Sequence, residues 1–474
     1  MTPEASSSPS TPTACCIAGG GPAGMVLGFL LARAGIEVLV LEKHADFFRD
    51  FRGDTIHPST FELTYELGLL DEFLRVPHQQ LLQIGAAVDD FTVIVGDFSH
   101  LPVRCKFVGL MPQWDFLNFI AEKAKVYPEF HLRMECEVTD LIIENNRVAG
   151  VRAKTREGDR EFRAALTVGA DGRHSIVRAK AGFEVIDLGA PIDVLWMRVS
   201  RLPTDPQQTL GRFRAGKLLV TLNRGDYWQC AYVIPKGGFA AIQKNGLPVF
   251  CRDLETVAPF LQGRTAELKD WSDIKLLSVA VDRLRHWSRS GLLCIGDSAH
   301  AMSPIGGVGI NLAIQDAVAA ANILVPVLST SASDARAFSA SASPNADISV
   351  RAQSTGASAD AHVPARALST DARILARAQS ADAHLHKVQA RREFPTRMTQ
   401  RLQIFAHKRF IFPALATKAS LKRLPVPLFL LKHFPILRRI PARMVGLGFR
   451  PEHIHTPDTH AVNTKSQAAS SAAP

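Results

Sequence analysis

No window of the 474-residue chain reaches eighteen uninterrupted apolar residues, so no segment is expected to span a bilayer as a helix. Met1 to Thr13 is rich in Ser, Pro and Thr and lacks a basic region followed by a long apolar core. It does not read as a secretory signal, and a disordered tail is expected there. The seven cysteines form no CxxC pair and no metal-ligand spacing, so no metal site is expected. Cys15-Cys16 falls inside an apolar strand pattern, which suits buried free thiols in a reducing, cytoplasmic setting. What is present is 46% hydrophobic residues, enough for one large core or two moderate ones. The net charge is +10, and much of the excess lies late in the chain. Such a balance could serve nucleic acid or an anionic membrane, but a solvated basic surface is the plainer reading and no nucleic-acid partner is expected.

An apolar strand from Ala14 to Ala18 runs into Gly19-Gly-Gly21-Pro-Ala-Gly24-Met-Val-Leu-Gly28, then a helix to about Arg33 and a strand Ile36 to Leu41 ending at Glu42. A Gly-x-Gly-x-x-Gly between strand and helix, with an acidic residue about 20 positions on, is an arrangement that binds an adenine dinucleotide. Gly19 permits the tight turn, Gly21 lets a pyrophosphate approach the backbone, and Gly24 with Gly28 lets the helix lie close on the sheet. Glu42 would accept from ribose hydroxyls. The following polar loop holds Arg52, which could pair with the pyrophosphate or form a surface ion pair, and His57, which faces a ligand or is structural. A helix is expected from Ser59 or Thr60, capped with Glu62 behind it.

Ile84 to Phe98 is strand-like and belongs to a second sheet. A helix follows Met111-Pro-Gln113-Trp114 to about Val126, then strands at Leu132 to Cys136, Val138 to Glu144 and Val148 to Lys154, with Asn145-Asn146 as a hairpin turn. The strand Leu166 to Val168 ends in Gly169-Ala-Asp171-Gly172-Arg173, read either as phosphate-side machinery or as a plain Asp-Gly turn. From Phe183 to Asp282 long amphipathic strands suggest a sheet over the cofactor domain. Met111, Trp196, Phe213, Trp228 and Tyr232 are candidate walls of a substrate cavity, or simply core.

The stretch Gly291 to Ala317 reads as a short buried strand, Leu292 to Ile295, then Gly296-Asp297, a Gly/Pro-rich loop from Ser303 to Gly309, and a helix opening at Gly309. Asp297 is free to accept hydroxyl hydrogen bonds, and the helix start offers unpaired N–H groups and a positive dipole end. Ser329 to about His384 is dominated by Ala, Ser, Asp and Arg and is expected to be a disordered insertion. Lys387 to about Phe410 reads as a basic amphipathic helix. Short apolar pieces with basic flanks follow to Phe449; they could dock on anionic lipid, although packing on the body is the preferred reading. The tail beyond Pro457 is expected to be disordered.

The Gly19 to Gly24 fingerprint with Glu42, the Asp171-Gly172 turn, and Gly296-Asp297 leading to Gly309-Ile310-Asn311 together resemble the FAD-dependent monooxygenases of the para-hydroxybenzoate hydroxylase type, over roughly Ala14 to Leu328. The resemblance implies an α/β fold: a Rossmann-like FAD-binding domain (14–82, 111–182, 283–328) interleaved with a mainly antiparallel β-sheet substrate domain (83–110, 183–282). The insertion (329–385), a helical C-terminal segment (386–456) and the tails complete the chain. It implies FAD held by Gly19, Gly21, Gly24 and Glu42 at the ADP half, by Arg52 and Gln113 at the pyrophosphate and ribityl region, and by Asp297 at the ribityl hydroxyls. Pro304, Gly306 and Gly307 would face the flavin ring in backbone roles, with N–H groups at Gly309, Ile310 and Asn311 stabilising charge on it. Asp171 and Arg178 match the motif that links FAD binding to NAD(P)H use. No second Gly-x-Gly-x-x-Gly exists, which fits NADPH or NADH visiting transiently.

The implied reaction inserts one atom of O2 into an apolar aromatic or polycyclic small molecule through a flavin hydroperoxide, in secondary metabolism or quinone synthesis. No general base is assigned, with His57 and His100 the only candidates. Ser298 and Ala313 stand where the family more often has Ala and Gly. A flavin halogenase would carry Trp-x-Trp-x-Ile-Pro, and here Cys230 and Tyr232 precede Ile234-Pro235. The same motifs would also suit a reductase of isoprenoid lipids or, from a different class, a non-catalytic escort protein that holds a lipid. Peripheral membrane contact through the basic apolar C-terminus stays open, as does the oligomeric state.

Overall fold

The computed structural model describes residues 13–48, 55–329, 370–416 and 424–460. Residues 1–12 of the expected N-terminal tail, Arg52, most of the expected insertion and positions 461–474 lie outside them.

Every residue of the strand Thr13–Ala18 is buried, as expected at the centre of a parallel sheet covered on both faces. It pairs in parallel with Val38–Leu41 on one side and Gly158–Gly169 on the other. Leu292–Cys294 and Phe130–Arg133 extend the sheet in parallel beyond these. The hairpin Glu137–Glu144 to Arg147–Thr155 rises off Gly158–Gly169 and turns at Asn145-Asn146, both at positive φ (48° and 61°). The helices Pro22–Arg33 and Gly309–Leu328 pack on this sheet and against each other. By composition Gly309–Leu328 is apolar enough to cross a bilayer, yet Ala317 to Ala321 are fully enclosed, so it serves as a core helix.

The second sheet has seven strands in the order Lys275–Leu277, Ile192–Ser200, Tyr227–Pro235, Lys217–Asn223, Leu210–Arg214, Gln83–Val88, Phe91–Asp97. All pairings are antiparallel except Leu210–Arg214 with Gln83–Val88. Alternation splits its apolar residues between two faces. Leu195, Met197, Trp228, Cys230 and Tyr232 point to one, which the helix Leu247–Val257 covers through Phe250 and Leu254. Val194, Trp196, Leu218, Ala231 and Val233 point to the other, toward Ile305 and Ile411.

Several boundaries differ from expectation. The first helix after the polar loop begins at Pro58 with His57 at its N-cap, because proline's fixed φ suits a first helical turn. Glu62 caps nothing and instead pairs with Arg104. The expected disorder to residue 385 is contradicted: a helix runs Thr370–Ala406, and Ala381, Leu385 and Val388 enter the main core. Asp382 there accepts from Arg147, Ser290 and the Gly291 N–H, polar partners that composition could not foretell. The tail expected to be disordered beyond Pro457 is fixed through His460, since Asp458 meets Tyr127 and Arg33.

Candidate functional site

The register of the parallel sheet aligns Ala18 with Leu41 and Gly169, and Gly169 with Cys294. The segments bearing Gly19, Glu42, Asp171 and Asp297 therefore all leave the sheet at one edge, its carboxyl edge, where open α/β sheets bind ligands. Gly19 adopts φ 109°, and a Cβ there would lie 2.4 Å from the Ala170 carbonyl oxygen. A Cβ on Gly24 would lie 2.0 Å from the Gly19 oxygen, so turn, helix and neighbouring strand exit are pressed together. Gly21 faces the other way, with nothing within 4 Å of its would-be Cβ. Glu42 accepts the Gly20 N–H at 3.0 Å and the His44 N–H at 3.1 Å. Asp297 is partly exposed and lies 3.9 Å from the guanidinium of Arg173, a residue of the Asp-Gly turn to which sequence reasoning assigned no individual role.

The helices Pro22–Arg33 and Gly309–Leu328 both start at this edge without a side-chain cap or an acid in the first turn. Gln113 begins a third helix, Gln113–Ala124. Open space at Gly21 and at Gly309, uncapped helix starts, and carboxylates at Glu42 and Asp297 fit an anionic dinucleotide with hydroxyls along its length.

Pro304 to Gly307 forms the loop beside the start of Gly309–Leu328. Gly307 sits at φ 62°, and a Cβ there would come within 2.2 Å of Thr55 Oγ1, whose hydroxyl donates to the Gly307 carbonyl at 2.8 Å. The loop is gripped from its other side by the C-terminal helix. Gln403 donates to the Ser303 and Ile305 carbonyls at 2.9 and 3.0 Å, and its oxygen accepts the Ser303 N–H at 3.1 Å. One helical turn on, His407 Nε2 meets Ser303 Oγ at 2.9 Å. One turn earlier, Gln400 donates to the Asp282 and Ala301 carbonyls. Sequence reasoning missed all three. Their spacing of three and four residues was visible, but it lay in a basic helix with no motif to mark its target.

The profile of the FAD binding domain matches residues 12–347. The chain is 34% identical over 317 residues to 6-methylpretetramide 4-monooxygenase of Streptomyces rimosus, an alignment covering 66% of this chain and 75% of that enzyme. The chain belongs to the FAD-dependent monooxygenases. Among solved structures it resembles the OxyS anhydrotetracycline hydroxylase of Streptomyces rimosus (TM-score 0.63, 20% identity, 93% of this chain and 77% of that one). It resembles the flavin-dependent brominase Bmp2 equally in fold (TM-score 0.65, 15% identity, 97% and 100%), so fold alone does not select the chemistry.

Within this monooxygenase several expected site residues have other work. The Asp171 carboxylate accepts from Ser175 Oγ at 2.5 Å and from the Val177 N–H at 3.1 Å. It therefore holds the following helix, and only the backbone of its turn adjoins the fingerprint. Burial raises the Asp171 carboxyl above the usual range although these hydrogen bonds pull it down. Arg178 reaches Asp282 and the Arg173 carbonyl. The Asn311 side chain is occupied by the His57 N–H, the Thr60 hydroxyl and the Thr55 carbonyl, which leaves its backbone alone to face a cofactor.

His57 is fully buried, with Nδ1 2.7 Å from the Val445 carbonyl, and burial lowers its imidazole to about 4. This is the structural reading of that residue. His100 is exposed at the end of a short 3-10 turn. Met111 is part of the first sheet's core, and Trp228 and Tyr232 lie on the outer face of the second sheet under Phe250 and Phe260, so none of the three lines the inner face. Trp196 does, beside Val194 and Val233. Ser298 is explained as well: its hydroxyl donates to the Gly169 carbonyl at 2.6 Å, tying together two strand ends of the ligand edge.

Proposed function

We propose that the chain hydroxylates a polycyclic aromatic of polyketide type, consuming NAD(P)H and O2. The observation that carries this reading is the convergence of Gly19, Glu42, Asp297 and the start of Gly309–Leu328 on one sheet edge, next to a loop whose Ile305 meets the inner apolar face of the second sheet. The sheet centred on Thr13–Ala18 is assigned as the FAD-holding unit, built from 14–82, 111–182 and 283–328, and the seven-stranded sheet as the substrate unit. The substrate class follows the relatives, one named for 6-methylpretetramide and one for anhydrotetracycline.

Gly21 and the uncapped start of Pro22–Arg33 would hold the pyrophosphate, Glu42 the adenosine ribose, and Asp297 with neighbouring Arg173 the ribityl chain. When bound, FAD supplies hydride acceptance from NAD(P)H and activation of O2, which no side chain can provide. The chain's own task is positioning and exclusion. N–H groups at Gly309 to Asn311 offer positive potential to the flavin ring edge, Thr55 and Gln403 fix the loop at a set distance, and Val194, Trp196, Leu218 and Val233 keep water from the reacting face.

The test is NAD(P)H oxidation by the purified yellow protein against a panel of polycyclic phenols under labelled O2. Incorporation of one labelled oxygen is expected. Substrate-dependent NAD(P)H consumption with product saturation and no labelled oxygen would turn the assignment to a reductase of isoprenoid lipids, and a colourless protein would remove the flavin itself.

A further inference from the structure

Between Glu393 and Glu452 the chain carries twelve Lys and Arg and not one Asp or Glu, against a net charge of +10 for the whole protein. The rest of the molecule is therefore slightly acidic, and the basic character belongs to this segment. The same segment is built in reverse of an ordinary surface helix. In Arg439–Gly446 the buried residues are the small ones, Ala442 and Gly446, with Gly446 seated on Phe98 and Leu101. The large apolar residues turn outward: Val426, Phe429, Leu430, Phe434, Ile436 and Ile440 are exposed, Val426 to 70% and Ile436 to 64%.

Val426, Phe429 and Leu430 follow the i, i+3, i+4 spacing of one face of the helix Val426–His433. Arg439 and Arg443 stand exposed in the following helix with no ion pair among the described residues, and Lys432 lies near the Phe91 ring. Leaving this many large apolar side chains in water within two short turns is unfavourable unless something covers them.

We infer that this face, from Val426 to Arg443, docks the enzyme on an anionic lipid surface. Bulky apolar side chains interspersed with cations, in a segment that itself carries no acid, complement a leaflet of negative headgroups over acyl chains. A second copy of the chain fits poorly, because a two-fold interface would bring two such basic faces together with no acidic residue in the segment to offset them. The prolines here, Pro425, Pro427, Pro435 and Pro441, keep the helices short, and short pieces pinned to the strand Phe91–Asp97 lie flat on a surface rather than crossing it. The docking face is attached to the second sheet, whose inner face Ile411 and Leu415 close from the same C-terminal region. An apolar molecule dissolved in lipid would thus have a short path to that face. The inference stands apart from the flavin chemistry.

The test is co-sedimentation of the full-length, flavin-loaded protein with vesicles of phosphatidylcholine alone or with one-third phosphatidylglycerol, at low and high salt. Binding to the anionic vesicles, weakened by salt, is expected. The double variant Arg439→Gln, Arg443→Gln should lower partitioning on the order of 20-fold, at about fivefold per basic residue. Phe429→Ser, Ile436→Ser should lower it about tenfold while leaving flavin content unchanged, since both side chains are exposed. Absence of binding to anionic vesicles, or binding unaffected by both double variants, overturns the inference. So does a lipid-free dimer that dissociates in Phe429→Ser, Ile436→Ser without vesicle binding in the parent, which would assign the face to a second copy.

Discussion

The two sides of the loop Pro304 to Gly307 are built by different means. On the sheet side, Gly19, Glu42 and Asp297 sit at strand ends, each within a few residues of the strand that positions it, so short motifs define their places. On the other side, Gln403 reaches the loop at Ile305, and Gln403, His407 and Gln400 hold Ser303 and Ala301 just before it, from about a hundred residues away in sequence. Deeper still, a buried chain of charges joins the two: His300 and Arg392 flank Asp316, and Arg392 also reaches Glu452. Burial would raise the Asp316 carboxyl, but His300 and Arg392 outweigh it and hold it below the ordinary range. A site of this type needs the local half to name its ligand and the distant half to hold the geometry rigid.

Cutting the link between the halves should give the largest effect. Arg392→Met leaves Asp316 and Glu452 buried with less than their full complement of partners, and stability should fall by about 3–5 kcal/mol. Denaturant unfolding followed by intrinsic fluorescence measures this. A loss below about 1 kcal/mol would mean that the C-terminal helix is only loosely coupled to Gly309–Leu328.

How much of this was legible follows the same division. The fingerprint, Glu42, the Asn145-Asn146 turn and the strand leading to Asp297 could be read because local backbone geometry dictates residue type there. Trp228 and Tyr232 could not be separated from Trp196, since even spacing on paired strands fixes that residues alternate but not which face meets the cofactor sheet. Asp171 was legible as a turn but not as a helix-holding carboxylate, which depends on Ser175 turning back toward it. The helix Thr370–Ala406 was hidden by low-apolar composition. A few buried contacts, Ala381, Leu385 and Val388, together with Asp382, dock it, and no local pattern announces them.

A pH titration separates the halves differently. His57 is held at about 4 by burial against an ordinary value near 6.5, so the unfolded chain binds its proton first as pH falls. Its contribution is intact above pH 6.5 and is lost progressively down to about pH 4, by up to about 3 kcal/mol. His407, also lowered to about 4 by burial, adds in the same sense from the far side of the loop. Unfolding free energies from pH 7.5 to 4.5 should show this slope, and His57→Gln should remove its own share of it. An unchanged slope in that variant would mean that the ring is hydrated.

Displacing the loop from either side should damage turnover, more from the sheet side than from the helix side. Gly307→Ala forces a Cβ onto Thr55 at a positive φ, and kcat should fall about 100-fold with flavin still bound. Gln403→Leu leaves the Ser303 N–H and the Ser303 and Ile305 carbonyls without their partner, at a cost of about 1–3 kcal/mol in loop ordering and roughly tenfold in kcat. Stopped-flow and steady-state kinetics on both variants compare them directly. If Gly307→Ala is crippled while Gln403→Leu turns over normally, the distant half is structural ballast rather than part of the positioning.

The finest distinction lies between the two faces of the second sheet. Trp196 and Trp228 lie on the same pair of strands, Trp196 opposite Ala231 and Trp228 opposite Val199, but Trp196 packs with Val194 and Val233 toward Ile305, whereas Trp228 donates to Asp205 at 2.8 Å on the outer face. Trp196→Phe should change KM for the aromatic substrate a few-fold and leave unfolding within about 1 kcal/mol of the parent. Trp228→Phe should do the reverse, weakening the fold by about 1–3 kcal/mol through the lost hydrogen bond to the Asp205 carboxylate, which Arg264 still pairs, with KM unchanged. Equal KM effects from both would mean that the outer face also communicates with the substrate, and the helix Leu247–Val257 would then have to be counted as part of the site.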